Sequence, residues 1–153
     1  MKKLVFAFQL VAIAIISVAV AQKQAPPSST LSQKPCSRSE ERRALDEHEK
    51  LKTWGDIFHS FKSYGHCDDG AIAEGYSDKV VHLLAMDWKS FTELNHLTKA
   101  NPDFRNFILR HIDTTASWDE LRSAQQNARR RCPAEGTTLC RVIDHQITHA
   151  FEF

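Results

Sequence analysis

The chain lacks the short motifs that assign a sequence to a well-known enzyme class. It has no CxxC or CxxCH pair, no GxSxG elbow, no phosphate-binding glycine loop and no EF-hand pattern. Covalent c-type haem is therefore excluded, and nothing points to an α/β-hydrolase, a P-loop nucleotide site or an EF-hand. Internal repeats and convincing period-2 strand patterns are also missing, so helix is the predicted secondary structure.

The sequence also lacks an excess of charge of either sign. It contains 20 Lys and Arg against 19 Asp and Glu. Two of the basic residues, Lys2 and Lys3, lie in the first 21 residues, so the rest of the chain has a net charge of −1 with neutral histidines. A near-neutral chain is not drawn strongly to nucleic acid or to an anionic membrane. We therefore expect neither as a partner.

What the chain does have is an N-terminal segment typical of a secretory signal peptide. A positive start, Met1-Lys2-Lys3, precedes an almost wholly apolar stretch at 4–18 and the small-x-small signal Ala19-Val20-Ala21. We expect residues 1–21 to be cleaved and the product to be periplasmic or secreted. The alternative is an uncleaved membrane anchor, because ~18 apolar residues could just span a bilayer.

The remainder predicts a leader followed by one helical domain. Residues 22–35 are polar and contain three prolines, which indicates a flexible leader. Residues 36–153 predict an all-α fold, a compact five- or six-helix domain with two disulfides. The first helix is expected to run from Glu40 to Tyr64 with a break near Gly55. Capping-box spacings predict helix starts at Ser37 with Glu40, and at Ser117 with Glu120.

Four cysteines follow the expected cleavage site: Cys36, Cys67, Cys132 and Cys140. An even number of cysteines in an exported chain predicts two disulfides, and their spacing leaves all three connectivities open. A zinc site is the competing interpretation. It is disfavoured because no CxxC pair is present and the compartment oxidises thiols.

Eight histidines raise the question of metal or acid–base chemistry. His145 and His149 share one helix face in an HQxxH pattern, but Gln146 cannot serve as the general base that HExxH metalloproteases use. We expect no catalytic residue, no metal and no cofactor. His82 and His111 adjoin apolar positions and are expected to be packed in the core.

Asp68 and Asp69 are adjacent acidic residues that could take part in metal binding or catalysis. Adjacent carboxylates could bind a cation or act as acid and base in sugar hydrolysis. Acids at the start of a helix more often interact with its positive dipole end, which is the interpretation we adopt here.

Two segments resemble a known family. They are Cys67 to Asp78, a small-residue helix opened by cysteine and ending in Tyr-Ser-Asp, and Gly136 to Asp144, a late helix with Leu-Cys and a hydrophobic-Asp pair. Together with the signal peptide, they resemble the periplasmic immunity proteins of type VI secretion amidase effectors. The resemblance implies a helical protein, often a homodimer, that binds a secreted amidase or other cell-wall hydrolase and occludes its active-site groove with a protruding segment.

The resemblance also implies a disulfide pairing. If Cys67 and Cys140 match the family pair, they bridge the second and last helices and leave Cys36 to pair with Cys132. The simple alternative is Cys36–Cys67 with Cys132–Cys140, which closes short local loops.

The residues alone single out one connector as a candidate contact region, because binding residues often lie on loops held by a rigid scaffold. Trp118 is the residue of interest, since Trp is enriched at interface hot spots. The competing interpretation, which its spacing to Leu121 favours, is that Trp118 is buried core. The candidate partner-binding residues are Asp113, Thr114, Thr115, Ser117 and Trp118.

The expected function is therefore that of a binding or inhibitor protein and not of an enzyme. Two alternatives stay open. One is a small exported metal-dependent hydrolase that uses His145 and His149, or Asp68 and Asp69. The other is a structural envelope protein without catalytic activity.

Overall fold

A computed structural model describes residues 34–152, and within that range every regular element is helical. The predicted signal peptide and residues 22–33 of the predicted leader lie outside the described residues. The all-α fold with two disulfides is confirmed. The helices are α1 Arg38–His48, α2 Trp54–Tyr64, α3 Gly70–Met86, α4 Phe91–Ala100, α5 Pro102–Arg110, α6 Trp118–Arg130 and α7 Thr137–Ala150.

Seven helices are present because the long first helix predicted from the sequence is two helices, α1 and α2. The interruption is not at Gly55, which lies inside α2. It is set by Thr53, whose side chain accepts the backbone N–H of Asp56 at 3.1 Å while the Asp56 carboxylate accepts the N–H of Thr53 at 2.9 Å. This capping box starts a new helix. Burial would raise the pKa of Asp56, but the hydrogen bonds from Thr53 and Lys52 outweigh it and lower that pKa.

The other predicted helix starts have mixed outcomes. The capping box of Ser37 and Glu40 is present, and hydrogen bonds from Lys34 and Ser37 lower the pKa of Glu40 to about 2. The predicted box at α6 is wrong in its chemistry. Ser117 is the N-cap residue but its side chain caps nothing, because Glu120 lies 2.8 Å from His82 Nδ1 on α3 and pairs with that ring.

Helix α3 is the central element, and it packs most extensively against α6 and α1. Its buried side chains recur at helical spacing: Ile72, Tyr76, Ser77, Val80, Val81, Leu83 and Leu84. The amide of Asn127 on α6 donates to the carbonyls of Leu84 and Ala85, each at 3.0 Å. These carbonyls belong to the last turn of α3, where no intrahelical partner exists.

An aromatic cluster joins α2, α3 and α5. Tyr76 contacts Phe107 edge to face, with ring centroids 4.9 Å apart, and Phe61 tilts against Phe107 at the same separation. The Tyr76 hydroxyl shares a hydrogen bond with Ser60 at 2.8 Å. Burial raises the pKa of Tyr76 to about 12. The ring therefore stays neutral and its single polar atom is satisfied inside the core.

The disulfides are Cys36–Cys67 and Cys132–Cys140, with Cα atoms 4.9 and 6.1 Å apart. The pairing implied by the family resemblance is wrong, and the simple local pairing is the one present. Cys36 precedes α1 and Cys67 ends the short turn after α2. This bridge therefore joins the start of α1 to the chain that follows α2. The second bridge spans only the turn between α6 and α7. Neither bridge crosses the core.

Gly75 lets α1 approach α3 closely. A Cβ atom built at this position would overlap the ring of His48, the last residue of α1. The neighbour that Gly75 accommodates is thus a side chain and not another backbone. Burial lowers the pKa of His48, and the charge of Lys79 adds to the effect. His48 is therefore a neutral packing residue, with its ring edge against Tyr76 at 5.2 Å.

None of the helices within residues 34–152 combines the length and the apolar character needed to cross a membrane.

We predict that Gly75→Ala lowers the free energy of unfolding by about 1–3 kcal/mol, because the added methyl group overpacks the contact with His48. Gly55→Ala is the matched control. The nearest atom to its new Cβ is the flexible end of Glu93, and Ala is the better helix former by ~1 kcal/mol. Urea denaturation measures both. Equal stability of the two variants would contradict the close packing at Gly75.

We also predict unequal contributions from the two disulfides. By chain entropy, the bridge spanning 31 residues contributes about 4 kcal/mol and the bridge spanning 8 about 2.5 kcal/mol. The double variants Cys36→Ala/Cys67→Ala and Cys132→Ala/Cys140→Ala, compared by urea denaturation, should show the larger loss for the first pair. A non-reduced digest that contains a Cys67–Cys140 peptide would overturn this assignment.

Candidate functional site

The candidate contact segment, residues 113–118, joins α5 to α6 and lies on the surface. Thr114, Thr115, Ser117 and Trp118 are exposed, whereas Ala116 is buried and anchors the middle of the segment. The Ala116 amide lies 3.4 Å from the carbonyl oxygen of Asp113 and closes a turn. The segment is thus a short exposed turn whose buried Ala116 packs in the core.

Asp113 fixes the conformation of this turn. Its Oδ1 accepts the backbone N–H of Thr115 at 2.8 Å and the Thr115 hydroxyl at 2.5 Å. Its Oδ2 accepts the hydroxyl of Ser77, on α3, at 3.0 Å. Both carboxylate oxygens are therefore used within the protein. Asp113 therefore positions its neighbours, and its predicted role in partner contact stays a prediction.

A buried polar network continues from Ser77 beneath the segment. His111 Nδ1 lies 3.1 Å from Ser77 Oγ, and His111 Nε2 lies 3.2 Å from each carboxylate oxygen of Asp68. Since Ser77 donates to Asp113, it accepts from Nδ1, and the Asp68 carboxylate accepts from Nε2. The network therefore runs from Asp68 through the His111 ring and Ser77 to Asp113. His111 is buried, as its sequence position predicts.

Arg110 completes the network at the surface. Its Nη2 donates to Asp68 Oδ2 at 2.9 Å. Asp68 therefore contacts the side chains of Arg110, on α5, and of His111, the C-cap residue of α5, and it does not cap α3. The capping role falls to Asp69 alone, whose carboxylate accepts the N–H of Gly70 at 2.8 Å.

The Asp68–His111–Ser77 order has the composition of a hydrolase triad, but its arrangement serves structure. Ser77 is only 1% exposed, so a substrate carbonyl cannot reach its Oγ atom. Its proton points to Asp113 and not to the imidazole, whereas a nucleophilic serine needs the histidine as its base. What this arrangement can do is fix the connector to α3.

Trp118 is exposed over 46% of its surface, so the expectation that it belongs to the core is wrong. Leu121, three residues on, is the buried residue of this turn. Trp118 is the first residue of α6, and side chains there lean toward the preceding chain and away from the helix body. Its ring stacks on Phe151, with centroids 4.9 Å apart and planes inclined by 24°. The ring is thereby held in one orientation on the surface.

The histidines predicted to share a face do meet. His145 Nε2 and His149 Nε2 lie 3.2 Å apart on the exposed side of α7. Neither Asp68 nor Asp69 joins them, and within residues 34–152 no group of three or more His, Cys, Asp and Glu is placed to hold one metal ion. His82 is exposed and paired with Glu120, so the expectation that it is packed in the core is wrong.

Two clefts lie away from the contact segment. One, of about 290 Å³, lies beside the Cys36–Cys67 bridge and the start of α3. The other, of about 330 Å³, lies between α4, α5 and the start of α7, with Lys99 and Arg105 at its wall. Neither is lined by residues 113–118. The contact segment is exposed and lies outside both clefts, which suits contact with a protein partner better than capture of a small molecule.

Two features of this site were not predicted from the sequence: the turn that Asp113 forms with Thr115 and the contact of Trp118 with Phe151. Asp113 two residues before Thr115 is the spacing of an Asx turn, so that signal was readable. Phe151 gave no such signal, because its contact with Trp118 depends on how α7 lies against α6.

Comparison of the chain with protein-family models, curated proteins and solved structures gave no match.

We predict that Asp113→Ala loosens the contact segment and lowers the free energy of unfolding by about 1–3 kcal/mol, because the Ser77 hydroxyl and the Thr115 amide lose their acceptor. Asp113→Asn should fall between the wild type and Asp113→Ala, since one acceptor oxygen remains. The control is Asp78→Ala, whose side chain is 59% exposed. Hydrogen exchange at Thr115 and Ala116 should quicken in the Asp113 variants only, and unchanged exchange there would contradict the positioning role.

Proposed function

We propose that the protein is an exported inhibitor of the immunity type, which binds a cell-wall amidase and occludes its active-site groove. The observation that carries the proposal is the exposed Trp118 side chain at the end of the contact segment, where its ring stacks on Phe151. An aromatic ring that is both exposed and immobilised is an effective anchor for a protein partner.

Rigidity of the segment supports this function physically. Association is weakened by the entropy lost when loops and side chains become ordered. Here Asp113 accepts three hydrogen bonds from Ser77 and Thr115, so the segment is ordered before any partner arrives. Exposed Thr114 and Ser117 flank the ring and can supply hydrogen bonds at the rim of an interface.

The compartment supports the same proposal. Two disulfides indicate an oxidising environment, which in bacteria is found outside the cytoplasm. Peptidoglycan and the enzymes that cut it are in that compartment. The partner class comes from the resemblance of residues 67–78 and 136–144 to type VI amidase immunity proteins, and a homodimer is a further expectation from it.

The proposal predicts that Trp118→Ala raises the Kd for the amidase about 30-fold or more, the effect of losing a hot spot of about 2 kcal/mol. Immobilised wild-type and variant chains are exposed to periplasmic extract of the same cells, captured proteins are identified by mass spectrometry, and the captured hydrolase is assayed on purified peptidoglycan. The wild type should inhibit cleavage and the variant should not.

Met86→Ala is the matched control, because Met86 is 68% exposed and lies at the far end of α3, outside the segment. It should bind and inhibit as the wild type does. Capture of no hydrolase by the wild type would overturn the proposed function. Full inhibition by the Trp118 variant would keep the function and move the contact surface elsewhere.

A further inference from the structure

The exposed histidine pair of α7 has the geometry of a bidentate metal site. The two Nε2 atoms of His145 and His149 face each other at 3.2 Å, with ring centroids 4.3 Å apart. Two imidazole nitrogens bound at 2.0–2.1 Å to one tetrahedral ion are about 3.3 Å apart. The two nitrogens therefore already have the separation that a shared ion requires.

Glu152 gives His149 the outer partner that metal-bound histidines usually have. Its Oε2 lies 3.0 Å from His149 Nδ1, the ring nitrogen that faces away from His145. When the neutral ring donates its Nδ1 proton to this carboxylate, Nε2 is left with a free lone pair. A carboxylate in this position orients the ring and raises the basicity of the ligand nitrogen.

The contact between the two Nε2 atoms also shows what the ion would replace. Since His149 Nε2 accepts, the hydrogen between the two nitrogens belongs to His145 Nε2. Metal binding frees this nitrogen as the His145 ring moves its proton to Nδ1, which faces solvent. Within the protein, the hydrogen bond between the two rings is lost and only the N–H bonds of His145 change, while the two Nε2 atoms replace two water ligands of the ion.

We propose that His145 and His149 bind one divalent transition-metal ion, of the Zn²⁺, Ni²⁺ or Cu²⁺ class, with Glu152 as the residue that positions His149. Imidazole nitrogen suits these ions, whereas Mg²⁺ and Ca²⁺ prefer oxygen ligands. Two protein ligands leave the remaining positions to water or to a ligand from another molecule. The inference is independent of the proposed inhibitor function and makes no claim on the Trp118 segment.

The test is a calorimetric titration of the purified chain with ZnCl₂, repeated with NiCl₂. The wild type should bind one ion, and His145→Ala and His149→Ala should each weaken binding about 10-fold or more. His82→Ala is the matched control, because it removes another exposed histidine that is paired with a carboxylate. It should bind as the wild type does, and MgCl₂ should give no binding to any variant.

Two further readouts separate the site from incidental binding. Zn²⁺ should raise the Tm of the wild type and not that of the His145→Ala/His149→Ala double variant. Glu152→Gln should weaken binding while leaving the number of bound ions at one, which is the signature of a positioning residue. Wild-type affinity in the double variant would overturn the metal site, and wild-type affinity in Glu152→Gln would remove Glu152 from it.

Discussion

One turn of α3 holds the molecule together, because three consecutive residues on it point to three different neighbours. Gly75 leaves room for His48 and so admits α1. Tyr76 enters the aromatic cluster with α2 and α5. Ser77 donates to Asp113 and so fixes the connector to α6. Successive side chains on a helix are about 100° apart, so one turn can serve three directions.

The same turn couples the core to the proposed contact surface. His111 lies against Phe107, with ring centroids 4.4 Å apart, and also borders Ser77. The apolar cluster and the polar network therefore meet at the His111 ring. A buried polar group is costly unless it is hydrogen-bonded, so the Ser77–Asp113 bond favours one position for the connector. The exposed residues that follow Asp113 are held in place by this bond, although they do not pack in the core.

The two disulfides act locally, and the core does not depend on them for its long-range order. Cys36–Cys67 joins the outer ends of α1 and α2, and Cys132–Cys140 closes the turn before α7. The resemblance to immunity proteins implied bridges between distant elements. Cys67 is instead occupied by the cysteine that α1 brings to the turn after α2. Contacts between α3, α6 and α7 supply the long-range order, and these are mainly apolar.

The sequence by itself determined the all-α class, the cap at Ser37 and the meeting of His145 with His149. The cap and the histidine pair depend on residues three or four positions apart, a spacing that one helical turn fixes. The break at Thr53 was not predicted, although Thr53 and Asp56 have the three-residue spacing of a capping box.

Only the tertiary structure decided the cysteine pairing, the burial of Ser77 beside Asp113, and the exposure of Trp118 on Phe151. The Ser77–Asp113 bond joins residues 36 apart, and the stacked rings belong to α6 and the end of α7. Such contacts depend on how whole helices pack. No spacing along one helix encodes them, because packing direction is set by the sum of many apolar contacts.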